Sequence, residues 1–356
     1  MGDTSSDLPE GYVRSLLAEM PKVELHLHLD GGLRVSTALE LARESKSVGA
    51  ATYREMYEQL VLSGSANSQA ELLQAFRVPI ELMQTSSALE RATFEFVVDK
   101  YRDSVIYIEI KWAPAQHTRR GLSLDDGIAA VAAGAARGTK ATGCVALLVP
   151  VIVRTHDPEL NREVVRACVR TRDLGVVAVD LAGDEAACPL IDDHRPALED
   201  AIAAGLGITV HAGEIADDGR NMASALSLSL HRIEHGSSVV PGSKLADTLR
   251  KRGITLDMCP TSNVQAATVP TLADHPIMRL HREGVSVTVS TDDPTISAIT
   301  QTEEMWNLWR WCGATLPEIW TMNRTAVAVA FAPDPVKAEL DAVLDRWQAL
   351  VPDVMG

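Results

Sequence analysis

The chain has 356 residues, of which 46% are hydrophobic, and a formal net charge of −15. That apolar share supports a substantial core, and the acidic balance opposes phosphate backbones and anionic membranes, so we expect neither nucleic acid nor membrane as partner. No apolar run is long enough to span a bilayer, and residues 1–20 lack a secretory pattern. The five widely spaced cysteines, Cys144, Cys168, Cys188, Cys259 and Cys312, read as free thiols of a cytoplasmic protein.

In chain order, Met1 to Ser6 fits the short myristoylation pattern, but no polybasic second anchor follows and we read it as a chance match. Val23 to Gly31 then alternates apolar and polar residues until a glycine stops it, which predicts a half-buried strand. Side chains on a strand repeat every two residues, so His26, His28 and Asp30 share one face. Residues 35–103 have helical period, broken at Ser63 to Ser68, and form a long insertion after the first strand. Leu72, Leu73 and Phe76 share one face of it, as core packing or as a lid over a site at the strand end. Further strands are predicted at Val105–Ile110, Val145–Val153, Val176–Leu181, Gly207–His211, around Arg232–Gly236, at Ile254–Cys259 and at Val285–Ser290. Helical stretches lie between most of them, and Trp306, Trp309 and Trp311 read as core of closing C-terminal helices. Eight strands alternating with helices predict an α/β (β/α)8 TIM barrel forming one domain over residues 1–356, with a helical insertion at roughly residues 50–85 and extra C-terminal helices.

In such a barrel the active site lies at the C-terminal strand ends, where His26, His28, His211 and Asp292 fall. Three imidazoles and a carboxylate suit one Zn2+ with room for a water, whose pKa such a metal lowers toward neutrality. Hydrogen-bonded structural histidines are the competing reading. Glu214, three residues beyond His211, is a proton shuttle or a solvated loop residue, and His235 could orient the attacking oxygen. Asp292 and Asp293 cannot both face one metal from a strand, so one would bind it and the other would face substrate.

The sequence resembles the adenosine deaminase family of the amidohydrolase superfamily. The resemblance rests on Leu25-His26-Leu27-His28-Leu29-Asp30-Gly31, Asp180-Leu181-Ala182-Gly183-Asp184-Glu185, His211-Ala212-Gly213-Glu214, His235-Gly236, Cys259-Pro260-Thr261-Ser262-Asn263 and Ser290-Thr291-Asp292-Asp293-Pro294. It implies zinc-dependent deamination of adenosine and 2′-deoxyadenosine to inosine and ammonia in purine salvage, with a small-molecule purine nucleoside as partner and the oligomeric state left open. His26, His28, His211 and Asp292 would hold one zinc. Glu214 would protonate purine N1, His235 would stabilise the attacking hydroxide, Asp293 would bond N7, the Gly183 N–H would reach N3, and Asp30 would hold the ribose 5′-hydroxyl. His28 would also touch substrate, and Leu72, Leu73 and Phe76 would form an apolar gate.

Two alternatives remain within the resemblance, adenine and a 5′-modified adenosine. Relatives acting on adenosine commonly have Gly where Glu234 stands, whereas Asp30 speaks against the adenine relatives. Alternation along the strand is expected to turn Glu234 away from His235. More distant readings are another amidohydrolase, for which the fourth strand end lacks a bridging lysine, and a non-catalytic nucleoside-binding relative.

Overall fold

Alternating and β-branched stretches give eight strands in a computed structural model of the protein, which describes residues 8–215 and 219–352. They are β1 (Lys22–His28), β2 (Val105–Trp112), β3 (Val145–Val153), β4 (Ala178–Ala182), β5 (Gly207–Ala212), β6 (Arg232–His235), β7 (Thr255–Met258) and β8 (Val287–Val289). Each pairs in parallel with the next. A parallel bridge between Leu27 and Asp292 brings β8 back to β1. This is the expected (β/α)8 barrel. The myristoylation-like pattern and residues 216–218 lie outside the described residues.

One expectation about β1 is corrected. The strand ends at His28, and Asp30 opens a 3-10 turn, Asp30–Gly32, so it does not extend the histidines' strand face. The Leu29 N–H still bonds the Lys111 carbonyl at 2.8 Å, after which the chain bends across the barrel mouth.

The insertion after β1 runs through helices Val35–Ser45, Tyr53–Leu60, Gln69–Leu72 and Arg77–Leu82 before the long helix Ser86–Arg102 returns the chain to β2. It is fastened over the strand ends by Leu62 N–H to the Ile296 carbonyl and Ala66 N–H to the Gln265 carbonyl, both at 2.8 Å. Ala66, Leu72, Ala266 and Ile296 form a small apolar cluster beneath it, separate from the main core.

Helices Gln301–Trp311, Leu316–Val329 and Asp334–Gln348 complete the chain. Asn323 on the second accepts from the Val23 N–H at 2.9 Å and so tethers it to the start of β1. Trp306 is buried and its ring lies 5.0 Å from that of Trp309, but Trp311 is 52% exposed. Five residues advance a helix by about 500°, which turns Trp311 away from the face that Trp306 buries.

The barrel interior is charged. Arg232 meets Glu109 at 2.7 Å and Asp257 at 2.8 Å, and Lys111 meets Glu234 at 2.9 Å and Asp180 at 3.7 Å, all with fully buried side chains. Buried charges persist only when paired, and these pairs form the floor beneath the strand ends.

Candidate active site

His26 and His28 from β1, His211 from β5 and Asp292 after β8 converge at that mouth. Their Nε2 atoms lie 3.1 Å apart for His26 and His211 and 3.3 Å apart for His28 and His211. Asp292 Oδ1 is 3.3 Å from His26 Nε2 and 3.4 Å from His28 Nε2. Zinc–nitrogen bonds of about 2.0–2.1 Å in a tetrahedron put donor atoms roughly 3.3–3.4 Å apart, so the set fits that ion. Burial pushes His28 down to about 3 against the pull of Asp292, leaving the neutral imidazole that a metal requires. His211 Nδ1 lies 2.8 Å from Asp180 Oδ2 and His26 Nδ1 lies 2.9 Å from Glu234 Oε2, so a carboxylate backs each ring and turns Nε2 toward the common point.

Glu234 is therefore in direct contact with the cluster. The sequence expectation that it turns away from His235 holds for the strand, since Arg232 and Glu234 point into the barrel and the next residue should not. His235, however, has a left-handed φ of 63°, which swings its ring back to 4.5 Å from that of His26. Asp292 is also left-handed, with φ 59°. Two non-glycine residues in this sparsely occupied region, both at strand ends, are a local cost that the surrounding packing must hold in place.

A chain of hydrogen bonds fixes the protonation of His235. The Ile277 N–H donates to His275 Nδ1 at 3.2 Å, so the His275 proton is on Nε2, which donates to Asn263 Oδ1 at 3.1 Å. The Asn263 amide then donates to His235 Nδ1 at 3.0 Å, which leaves His235 Nε2 as the N–H donor. Burial holds His275 down to about 3, consistent with a neutral ring. His26, His211, His235 and Asp292 are near enough to share an ion, but His235 Nε2 carries a hydrogen and its ring is available as a donor. Ser262 donates to Asp292 Oδ2 at 2.6 Å and directs Oδ1 toward the histidines.

Glu214, just past β5, has its Oε2 3.5 Å from His235 Nε2. Burial raises its pKa to about 8, helped by Asp292 and Glu185, so it holds a proton at neutral pH. Glu185 accepts from the Gly213 and Glu214 N–H groups at 3.0 and 3.1 Å and fixes that turn. Burial and then Asp292 also raise Asp293 well above the usual carboxylate range, and its Oδ1 has no hydrogen-bond partner. A Cβ on Gly31 would come within 2.0 Å of that oxygen, so glycine lets the Asp30–Gly32 turn pass beside Asp293. Gly183 has φ +113°, which presents the β4 end to the cavity in a conformation side-chain-bearing residues rarely adopt.

The space among Gln69, Leu72, Glu214, His235 and Asp293 is about 40 Å³. It shares His28, Phe76 and Gly183 with an outer cavity of about 290 Å³ that reaches Asp30, Gln116 and Thr155. Asp30 Oδ1 lies 3.1 Å from His117 Nε2. Gln69, His117 and His275 were not singled out from sequence. For Gln69 a signal existed, a polar residue one helical turn before Leu72 on an otherwise apolar face.

A parallel eight-stranded barrel whose C-terminal strand ends gather imidazoles, a shielded carboxyl and an apolar-roofed cavity has the make-up of a barrel hydrolase. The profile of the family described as "Adenosine deaminase" matches residues 21–347. An adenosine deaminase from Clostridium perfringens is 32% identical over 326 residues, covering 91% of this chain and 98% of the relative. Among solved structures, an adenine deaminase from Arthrobacter aurescens is similar with TM-score 0.85 at 25% identity, covering 94% of this chain and 99% of its own. An amidohydrolase from Burkholderia ambifaria with bound Zn has TM-score 0.86 at 26% identity, covering 96% and 94%. The chain belongs to the adenosine deaminase family, hydrolases acting on C–N bonds. Among the described residues no helix is long and apolar enough to cross a membrane.

Proposed function

We propose that the protein deaminates adenosine and 2′-deoxyadenosine hydrolytically to inosine and ammonia in cytoplasmic purine salvage, using one zinc per chain. The observation that carries this reading is the set of four donor atoms spaced for one ion beside a protonated, buried Glu214. Bound by His26, His28, His211 and Asp292, a zinc ion supplies Lewis acidity that brings the pKa of water toward 7. Glu214 gives its proton to purine N1, which makes C6 electrophilic. His235 donates its Nε2–H to the oxygen entering at C6. Asp293, kept protonated, donates to N7, and the Gly183 N–H bonds N3, so the ring edges are held in register with Glu214. Asp30, whose Oδ1 lies 3.1 Å from His117 Nε2, takes the ribose 5′-hydroxyl beside His28. The insertion over residues 50–85 acts as the lid, with Leu72, Leu73 and Phe76 excluding water.

Free adenine is the second reading, favoured by the similarity to an adenine deaminase. The cavity that continues past His28 to Asp30 favours the nucleoside, because adenine alone leaves it empty. Turnover of adenosine, adenine and 5′-deoxyadenosine, followed by loss of the adenine absorbance, decides between them. We expect adenosine to exceed 5′-deoxyadenosine by roughly ten- to hundredfold in kcat/KM, as a charge-assisted hydrogen bond in a shielded site provides. Faster turnover of adenine than of either nucleoside would overturn the proposal.

A further inference from the structure

The roof of the inner pocket carries a polar side chain aimed inward. Gln69 begins the short helix Gln69–Leu72 and is 3% exposed. Its Oε1 accepts from the Glu185 N–H at 2.9 Å, and its Nε2 donates to Glu214 Oε2 and makes a long contact of 3.4 Å with the Gly183 carbonyl. Its neighbours Leu72, Leu73 and Phe76 are apolar, so filling space does not require an amide here. Of the two Nε2 hydrogens, one is well used by Glu214 and the other has only the long contact.

On the deaminase reading, on which this inference rests, Glu214 meets purine N1 and the Gly183 N–H meets N3. The ring atom between them is C2. The amide nitrogen that bonds Glu214 and lies 3.4 Å from the Gly183 carbonyl therefore stands at the C2 edge. We infer that Gln69 reads this edge, and that the protein accepts 6-aminopurine nucleosides bearing an oxo group at C2 at least as readily as adenosine. The 2-oxo oxygen takes the second Nε2–H in place of the long contact, whereas a bare C2–H leaves a buried donor poorly satisfied. The net reaction is the same hydrolysis, but the 2-oxo base already carries hydrogen on N1, so Glu214 meets that N–H as the carboxylate and relays a proton from the entering water to the departing N6. The oxygen of water forms the C6–O bond, the C6–N6 bond breaks, ammonia leaves with the added protons, and the product is a 2,6-dioxopurine nucleoside, with no oxidant involved.

Ammonia release from isoguanosine and from adenosine, measured with wild type and Gln69→Leu, tests this. The ratio of kcat/KM values for two substrates of one preparation does not depend on the fraction folded, and Gln69→Met serves as a second apolar variant. We expect an isoguanosine-to-adenosine ratio of at least about one in wild type and a fall of roughly tenfold in both variants, equivalent to about 1.4 kcal/mol. A ratio unchanged within about twofold, or a wild type that deaminates adenosine and leaves isoguanosine untouched, overturns the role of Gln69 alone. Release from neither nucleoside overturns the deaminase reading itself.

Discussion

Glu214 combines two properties that an exposed carboxylate lacks, a proton retained near neutral pH and a fixed position. Burial provides the first by raising it to about 8, and the Glu185 carboxylate provides the second through the Gly213 and Glu214 amides. A dication in the neighbouring cluster would draw the value back down, so the turnover rate should fall as pH rises toward 8 and Glu214 loses its proton. Glu214→Gln keeps the shape and removes the exchangeable proton. Turnover should drop by about a hundredfold or more while metal analysis still finds one zinc per chain. Wild-type turnover in that variant would transfer the acid role to another group. His235 depends on more distant residues for its donor form, because its tautomer is set through Asn263 and His275.

At the scale of elements, the short helix Pro260–Gln265 carries Ser262 and Asn263, the residues that orient Asp292 and His235. Six residues do not form a stable helix alone, so its placement rests on tertiary contacts. Glu304 on the helix Gln301–Trp311 supplies one, accepting from the Thr261 N–H at 2.7 Å and from the Thr261 hydroxyl. Burial raises Glu304 to about 7, against hydrogen bonds from Thr261 that favour its charge. Its folded pKa therefore exceeds the ordinary 4.5, the folded state binds more protons between these values, and stability is lost as pH climbs from about 4.5 to about 7. Glu304→Gln should flatten the melting temperature against pH over that window. A variant whose profile parallels wild type would show that Glu304 titrates normally.

For the molecule as a whole, the charged interior and the site form one electrostatic unit. Lys111 and Arg232 face Glu109, Asp180, Glu234 and Asp257, and Asp292 adds a further carboxylate at the mouth. The carboxylates outnumber the two cations, and a dication at the three histidines and Asp292 would offset the excess. Lys111, engaged by both Glu234 and Asp180, is not free to bridge two metals. Chelation should therefore remove activity and also lower the melting temperature by at least about 5 °C, with recovery on adding one equivalent of zinc, since a ligand held far above its Kd contributes about 4 kcal/mol. An unchanged melting temperature after complete removal of the metal would mean that the barrel does not need the ion's charge.

The strand-forming residues were legible from sequence because their signal is local. His26 and His28 alternate with Leu25, Leu27 and Leu29, and Val145–Val153 is apolar as a doubly covered strand must be, so the eight-stranded order followed from spacing alone. The family motifs extended this to His211, Glu214, His235, Asp292 and Asp293, which the barrel brings to one mouth. Only the tertiary structure decided that Asp30 leaves the strand for a turn, that Glu234 lies against His26, and that His275 sets the tautomer of His235. Each of these depends on contacts between residues far apart in the chain, or on a left-handed φ at a strand end, and neither leaves a periodic trace. Gln69 reaches Glu214 across 145 residues of sequence, and that pairing exists only once the insertion folds over the barrel.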